Sequence, residues 1–331
     1  LALLSAAALA FEITLTRLFS VTQWYHFAFL AVSVALLGYG ASGTALSLVP
    51  RWVRLPTERR SAAFAILFSG SVLGAYLSLN HLPFDSYRIA WERSQLLYLL
   101  LYYLALTAPF FFSGLVTGML LTAHARYAAR LYAANLLGSA VGALVPILVL
   151  ARVGEGAVLV IAALGLLAAS TFLLQRSPAK QSTALRSSVL VHQAVLLCAI
   201  GLLLVLSVFL PAPFRLRLSP YKGLSQVLLF PDAELVSQQW NAFSRVDRVK
   251  SSSIRSAPGL SLAYAGRLPP QDGVFVDGDD LSPVVNAEAR QDYVSHLPVA
   301  LSYRLREGGR ALLLGPKGGQ SVQVALSEGA E

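Results

Sequence analysis

The stretch Ala311-Leu-Leu-Leu-Gly315-Pro-Lys317-Gly318-Gly319-Gln-Ser-Val sets a glycine-rich turn between an apolar run and a helix-forming segment. Backbone N–H groups at such a strand-to-helix turn can hold a nucleotide or nucleoside, because glycine permits close approach and a helix N-terminus favours negative charge. The same pattern also serves simply to reverse the chain, and both readings stand on the turn alone. Near the other end, Glu12 and Arg17 interrupt an apolar run, where ionisable groups are costly and are paired, functional or snorkelling to an interface. Five residues put them about 140° apart on a helix, which directs each toward other helices rather than toward its neighbour. An anchoring role and an internal polar role both fit. Trp24-Tyr25-His26 reads as part of an interfacial aromatic belt, since no second His or carboxylate lies at metal-ligand spacing. Asn135, in a Gly- and Ala-rich stretch, reads as an interhelical hydrogen-bonding residue. The single cysteine, Cys198, lies in an apolar run and supports neither a disulfide framework nor a Cys-based metal site.

The elements that carry these residues follow from composition. Of 331 residues, 56% are hydrophobic and 13% charged, with a mean hydropathy of +0.61; soluble domains usually carry about 25% charged residues. Long uncharged runs fill the chain before Pro211, and charge concentrates after it, which implies lipid and then water as solvents. About 20 apolar residues cross a bilayer, and seven stretches qualify: Leu1–Val21, Phe27–Val49, Ala62–Leu79, Leu96–Leu121, Leu131–Leu150, Ala157–Leu174 and Val189–Leu210. Pro109 predicts a kink or tilt in the fourth. Gly38, Gly40 and Gly43 in the second, with Gly138 and Gly142 in the fifth, predict close helix contacts. Leu1 to Leu18 reads as a truncated first span rather than a signal peptide, and the chain reads as a fragment at both ends. The formal net charge is +9, but the basic residues lie largely in short loops, so topology explains them better than a nucleic-acid partner does. Arg51, Arg54, Arg59 and Arg60, then Arg126 and Arg130, then Arg176, Lys180 and Arg186, fall on every second loop, which should be cytoplasmic. Arg88, Arg93 and Arg152 on the other loops are offset by Asp85, Glu92 and Glu155.

After Pro211 the pattern changes to short runs broken by turn residues. Gly223–Phe230, Ala233–Gln238, Ser244–Lys250 and Leu260–Ala265 read as strands of a small antiparallel sheet, with Gly273–Asp277 as one more. Ala287–Leu305 reads as a helix, Arg310–Leu314 as a buried strand and Gly318–Leu326 as the start of a helix, which together open a parallel α/β sheet. The predicted domains are a transmembrane helical bundle over 1–211, a small β-strand domain over 212–278 and the start of a Rossmann-like α/β domain over 279–331.

Ser219-Pro-Tyr221-Lys222-Gly, Trp240-Asn-Ala-Phe-Ser244-Arg245-Val-Asp247, Asp277-Gly278 and His296-Leu-Pro298 precede the glycine turn in the order seen in spermidine synthases, which the second part of the chain resembles. In the first part, Phe11-Glu12-Ile-Thr-Leu-Thr-Arg17, Trp24-Tyr25-His26-Phe27 and Leu131-Tyr-Ala-Ala-Asn135-Leu-Leu-Gly138 resemble bacterial membrane-embedded members of the spermidine synthase-like group. The resemblance covers nearly the whole chain. It implies a multi-pass protein of the bacterial cytoplasmic membrane, transferring an aminopropyl group from decarboxylated S-adenosylmethionine to a polyamine, or a related S-adenosylmethionine-dependent transfer. By position it assigns Gly315, Gly318 and Gly319 to the cofactor, and it implies no metal. Homo-oligomers are compatible with it. Lys317 departs from the family's G-x-G-x-G pattern, and Ser321 stands where related members often have aspartate. Asp277 resembles the aspartate of the family's Leu-Asp-Gly strand and Asp292 lies near its acidic helix, although a simple solvated or turn role is the stronger reading of each. The family's catalytic aspartate and ribose-binding acid would lie beyond Glu331.

Two other classes remain open, an inactive homologue serving as a regulatory or interaction module, and a small-molecule transporter such as one for polyamines. Seven spans with the basic loops inside place the segment after the last span outside, away from cytosolic S-adenosylmethionine. Arg215, Arg217 and Lys222 just after that span favour the inside.

Overall fold

The computed structural model describes residues 1–23, 27–50, 52, 57–85, 87–175, 183–285, 292–305 and 309–331. Trp24, Tyr25, His26, Arg51, Arg54, Arg176 and Lys180, together with the side chain of Arg186, lie outside what it describes. The chain divides into two compact units, one of Leu1–Ser20, Trp24–Arg217 and Asn241–Phe243, the other of Val21–Gln23, Leu218–Trp240 and Ser244–Glu331.

Long helices build the first unit: α1 (Ala2–Thr22), α2 (Ala28–Leu48), α3 (Thr57–His81), α4 (Ser94–Ala123), α5 (Ala128–Val153), α6 (Ala157–Leu174) and α7 (Thr183–Phe209). Each expected span falls on one of them, and α4 runs through Pro109. A helix satisfies its backbone N–H and C=O groups internally, which an apolar surrounding requires. Among the described residues, six stretches are long and apolar enough to cross a membrane. That number is one below the seven expected, because α5 and α6 join through the 3-10 turn Gly154–Gly156 into the single stretch Ala125–Leu174.

In α1, Leu4, Ala7, Phe11, Leu15 and Leu18 are buried at three- and four-residue spacing, and Ala8, Ala10 and Phe19 are buried beside them. Neighbouring helices thus cover most of its circumference. By contrast α7 exposes Leu190, Val191, Val195, Leu202, Val208 and Phe209. Apolar surface on that scale suits lipid rather than water.

Glycine decides where helices approach most closely. A Cβ at Gly138 would lie 2.7 Å from Ala2 Cα, and one at Gly142 would lie 2.7 Å from Ala6 Cα, so α5 packs backbone to backbone on α1. A Cβ at Gly38 would lie 2.8 Å from the carbonyl oxygen of Thr107, which draws α2 onto α4. Gly40 and Gly43 correct the expectation of a continuous contact face, for a Cβ at either meets nothing within 4 Å. Polar side chains add specific links. Ser5 Oγ donates to Asn135 Oδ1 at 2.7 Å, the interhelical bond expected of Asn135. Ser170 Oγ donates to Gln193 Oε1 at 2.6 Å while Gln193 Nε2 donates to the Ser170 carbonyl at 2.9 Å, joining α6 to α7. Beyond α7, the chain returns to the end of α3, where Tyr76 Oη donates to the Phe214 carbonyl at 2.6 Å.

The second unit holds one four-stranded antiparallel sheet in the order β1 (Glu234–Trp240), β2 (Arg245–Lys250), β3 (Gln271–Val276), β4 (Asp279–Val285). Alternation along β2 turns Arg245, Asp247 and Val249 inward and leaves Arg248 and Lys250 exposed. Several expectations are overturned. Residues 223–230 do not form a strand; Gly223–Val227 is a short helix, α8, whose Leu224 and Val227, three residues apart, bury against Val249, Ile254 and Phe275. Leu260–Ala265 forms turns, because β3 occupies the ladder position beside β2 and Leu262 is fully exposed. β4 was not expected as a strand, since Pro283 within it masks the pattern. The helix expected over 287–305 is interrupted at Leu297, which is extended because Pro298 disfavours helical backbone before it. A 3-10 turn, Asp292–His296, and the helix α9 (Pro298–Arg304) flank that break. Arg310–Leu314 is not a strand, and Leu312 and Leu314 are 85% and 86% exposed, so no parallel sheet forms among the described residues. The final helix does form, as α10 (Gln320–Ser327).

The close approaches make a prediction. Gly138→Leu and Gly142→Leu each destabilise the detergent-solubilised chain by roughly 1–3 kcal/mol, as overpacking does, whereas Gly40→Leu leaves its thermal unfolding unchanged. Equal behaviour of all three variants would remove the backbone contact between α1 and α5.

Candidate functional site

Three of the motif segments meet at the two-residue turn between β3 and β4. Asp277 and Gly278 have φ of +52° and +72°, the conformation of the tight hairpin turn that matches strand twist. Glycine adopts it freely, and aspartate tolerates it. A Cβ at Gly278 would also lie 2.5 Å from Leu218 Cδ2, so a larger residue there would displace the end of that side chain. The Asp277 N–H donates to the Arg245 carbonyl at 2.8 Å, and Asp277 Oδ1 accepts from the Arg245 N–H at 2.8 Å. Lys222 is buried, and its Nζ donates to the Asp277 carbonyl at 3.0 Å while lying 3.7 Å from Asp279 Oδ2. Burial lowers the Lys222 ammonium pKa, opposed by the charges of Asp279 and Asp277. Asp279 Oδ1 accepts from the Gly223 N–H at 3.3 Å, which starts α8.

Next to this turn, Arg245 and Asp247 share the inward face of β2. Arg245 Nε and Nη2 both donate to Asp247 Oδ1, at 3.0 and 2.9 Å, and both side chains are buried. Two charges withdrawn from water hold only while each keeps its partner. The segments Ser219–Gly223, Ser244–Asp247 and Asp277–Gly278 thus form one polar cluster around a turn, and Asp277 has the turn role left open for it. The sequence signal for the turn was Asp-Gly after an alternating run. Nothing in the sequence showed that Lys222 and Arg245 would be the residues buried against it.

The glycine turn attaches to the same hairpin a few residues further along β4. Gly318 N–H donates to Ser282 Oγ at 2.9 Å, and a Cβ at Gly318 would lie 2.9 Å from the Pro283 carbonyl carbon, so glycine is required there by packing on β4. Gly315 and Gly319 have φ of +66° and +88°, Gly319 capping α10, and a Cβ at either would meet nothing within 4 Å. Of the three glycines assigned by resemblance, Gly318 is occupied by a protein contact and Gly315 and Gly319 border open space. Lys317, at φ +47°, donates through Nζ to Asp280 Oδ2 at 2.5 Å. Its ammonium is engaged by β4.

On the other face of the sheet, Glu234, Arg248, Lys250 and Asp272 line an open cavity of about 830 Å³. Arg248 pairs there with Asp272 at 2.5 Å. At its edge, hydrogen bonds from Ser252 and Ser251 pull the Asp232 carboxyl down to about 2. No three His, Cys, Asp or Glu side chains among the described residues could jointly hold a metal ion.

Two predictions follow from these contacts. Asp247→Ala leaves the Arg245 charge buried and alone, and lowers the stability of the second unit by about 3–5 kcal/mol, read by amide exchange of β2 and β3 in the intact chain. Because the folded pKa of Asp232 lies below its ordinary value of 3.8, its contribution is complete above that value and is lost as pH falls toward about 2. The difference in denaturation midpoint between the native chain and Asp232→Asn should therefore shrink over that interval; a constant difference would exclude the hydrogen-bonded carboxylate as its source.

Comparison of the chain with protein-family models, curated proteins and solved structures returns no match.

Proposed function

We propose that this chain is a membrane-embedded member of the spermidine synthase-like group, its second unit binding decarboxylated S-adenosylmethionine or S-adenosylmethionine for group transfer to a polyamine or related acceptor. The observation that carries the reading is the convergence of Ser219–Gly223, Ser244–Asp247, Asp277–Gly278 and the glycine turn on the single β3–β4 hairpin. Residues scattered over about a hundred positions of sequence share one support, as a site requires. Gly315 and Gly319 border open space before and at the start of α10, where the ribose hydroxyls of the adenosine would meet the N-terminal N–H groups of the helix.

A second reading is an inactive homologue used as an interaction module. Lys317 favours it, because a side chain stands in the turn where the group carries glycine, and its ammonium is held by Asp280. Calorimetric titration of the solubilised chain with each sulfonium compound separates the two. Binding of either supports the transferase reading, and Gly315→Val should weaken it about tenfold, since a β-branched residue resists positive φ by about 1–2 kcal/mol. Absence of heat with both compounds withdraws that reading and leaves the module. Side of the membrane provides an independent check: a reporter active only in the cytoplasm, fused after Ser219, should be active, and a silent fusion removes access to a cytosolic cofactor.

A further inference from the structure

The first unit carries a cavity that the proposed transfer chemistry does not use. It has a volume of about 370 Å³ and lies where the start of α3, the end of α4, the start of α5 and the end of α6 come together. Its floor is apolar, formed by Leu120, Leu131 and Phe172. Its rim is polar, with His124, Arg130 and Gln175, and with Glu58 as the one carboxylate among the lining residues. Tyr127 also lines it and holds two guanidinium groups against its ring, Arg126 at 4.6 Å and Arg130 at 5.9 Å from the centroid. Stacking of this kind organises the two planar cations while leaving their N–H edges available.

Charge separates this end of the bundle from the other. Arg59 and Arg60 follow Glu58 in the first turn of α3, and Arg126 and Arg130 flank Tyr127, so four arginines stand against Glu58 at this end of the bundle. At the opposite end Arg88 is paired with both Asp85 and Glu92, at 3.3 Å each, and Glu155 lies next to α5. Excess arginine on one side marks the cytoplasmic face, where membranes expose anionic headgroups.

We infer that this cavity binds the headgroup of one anionic phospholipid, its phosphate on Arg126 and Arg130 and its first methylenes over Leu120, Leu131 and Phe172. A planar fork suits a phosphate's oxygens, and an apolar floor rewards only a ligand with an attached hydrocarbon chain. A soluble phosphate would match the arginines and gain nothing from the floor. The inference rests on the bundle's lying in a membrane and is independent of cofactor binding by the second unit.

The test is native mass spectrometry of the intact chain released from bilayer nanodiscs of mixed phosphatidylglycerol and phosphatidylcholine. The expected result is one retained phosphatidylglycerol in preference to phosphatidylcholine. Arg126→Ala and Arg130→Ala should each reduce that preference about fivefold, the share of one arginine near an anionic surface, while Arg93→Ala at the other end leaves it intact. Equal retention of both lipids by the unaltered chain overturns the site without any variant, as does displacement of the lipid by millimolar inorganic phosphate. Failure of the chain to enter bilayers at all would instead overturn the membrane reading, and this site with it.

Discussion

A polar group withdrawn from water costs free energy unless it finds a partner, and the two units supply such partners by different routes. Leaving a buried donor or acceptor unmade costs about 1–3 kcal/mol, and a lone buried charge costs more. In the first unit the backbone is satisfied within helices, and side chains supply a few links, such as Ser5 to Asn135 and the paired bonds between Ser170 and Gln193. In the second unit Lys222, Arg245 and Asp247 are all buried, and their partners come from one turn and one strand. The β3–β4 hairpin is therefore more than a connection. Its carbonyl at Asp277, its carboxylates at Asp277 and Asp279 and its hydroxyl at Ser282 satisfy four groups from three separate segments.

Close approach is the second organising factor, and in both units it falls at particular glycines. Gly138 and Gly142 bring α5 against α1, Gly278 admits Leu218, and Gly318 admits Pro283. Gly40, Gly43, Gly315 and Gly319 have open space where a side chain would stand. In a helix such space is merely surface. At Gly315 and Gly319 it borders backbone of positive φ, Gly319 capping the start of α10.

Much of the first unit was legible in sequence, because a run of about 20 apolar residues has few alternatives in an apolar solvent. The hydrogen-bond role of Asn135 followed from the same logic. The second unit was less legible. Gly223–Phe230 has the composition of a strand, yet helical spacing of Leu224 and Val227 onto Phe275 decided otherwise. β4 was hidden by Pro283, and the apolar run before Gly315 suggested a buried strand although Leu312 and Leu314 are exposed.

What the sequence determined by itself was therefore local: which stretches can cross a membrane, where the basic loops fall and where Asp-Gly can turn. Hydrocarbon length, charge and φ preference act over a few residues and can be read in order. What only the tertiary structure decided was which buried charges meet, since Lys222, Arg245 and Asp277 lie up to 55 positions apart and share a contact only because antiparallel pairing returns β3 to β2. The same holds for the cavity at Arg130, whose walls come from four helices. Pairing and packing bring such residues together through burial of the surfaces between them, and that is a property of the folded chain rather than of any segment.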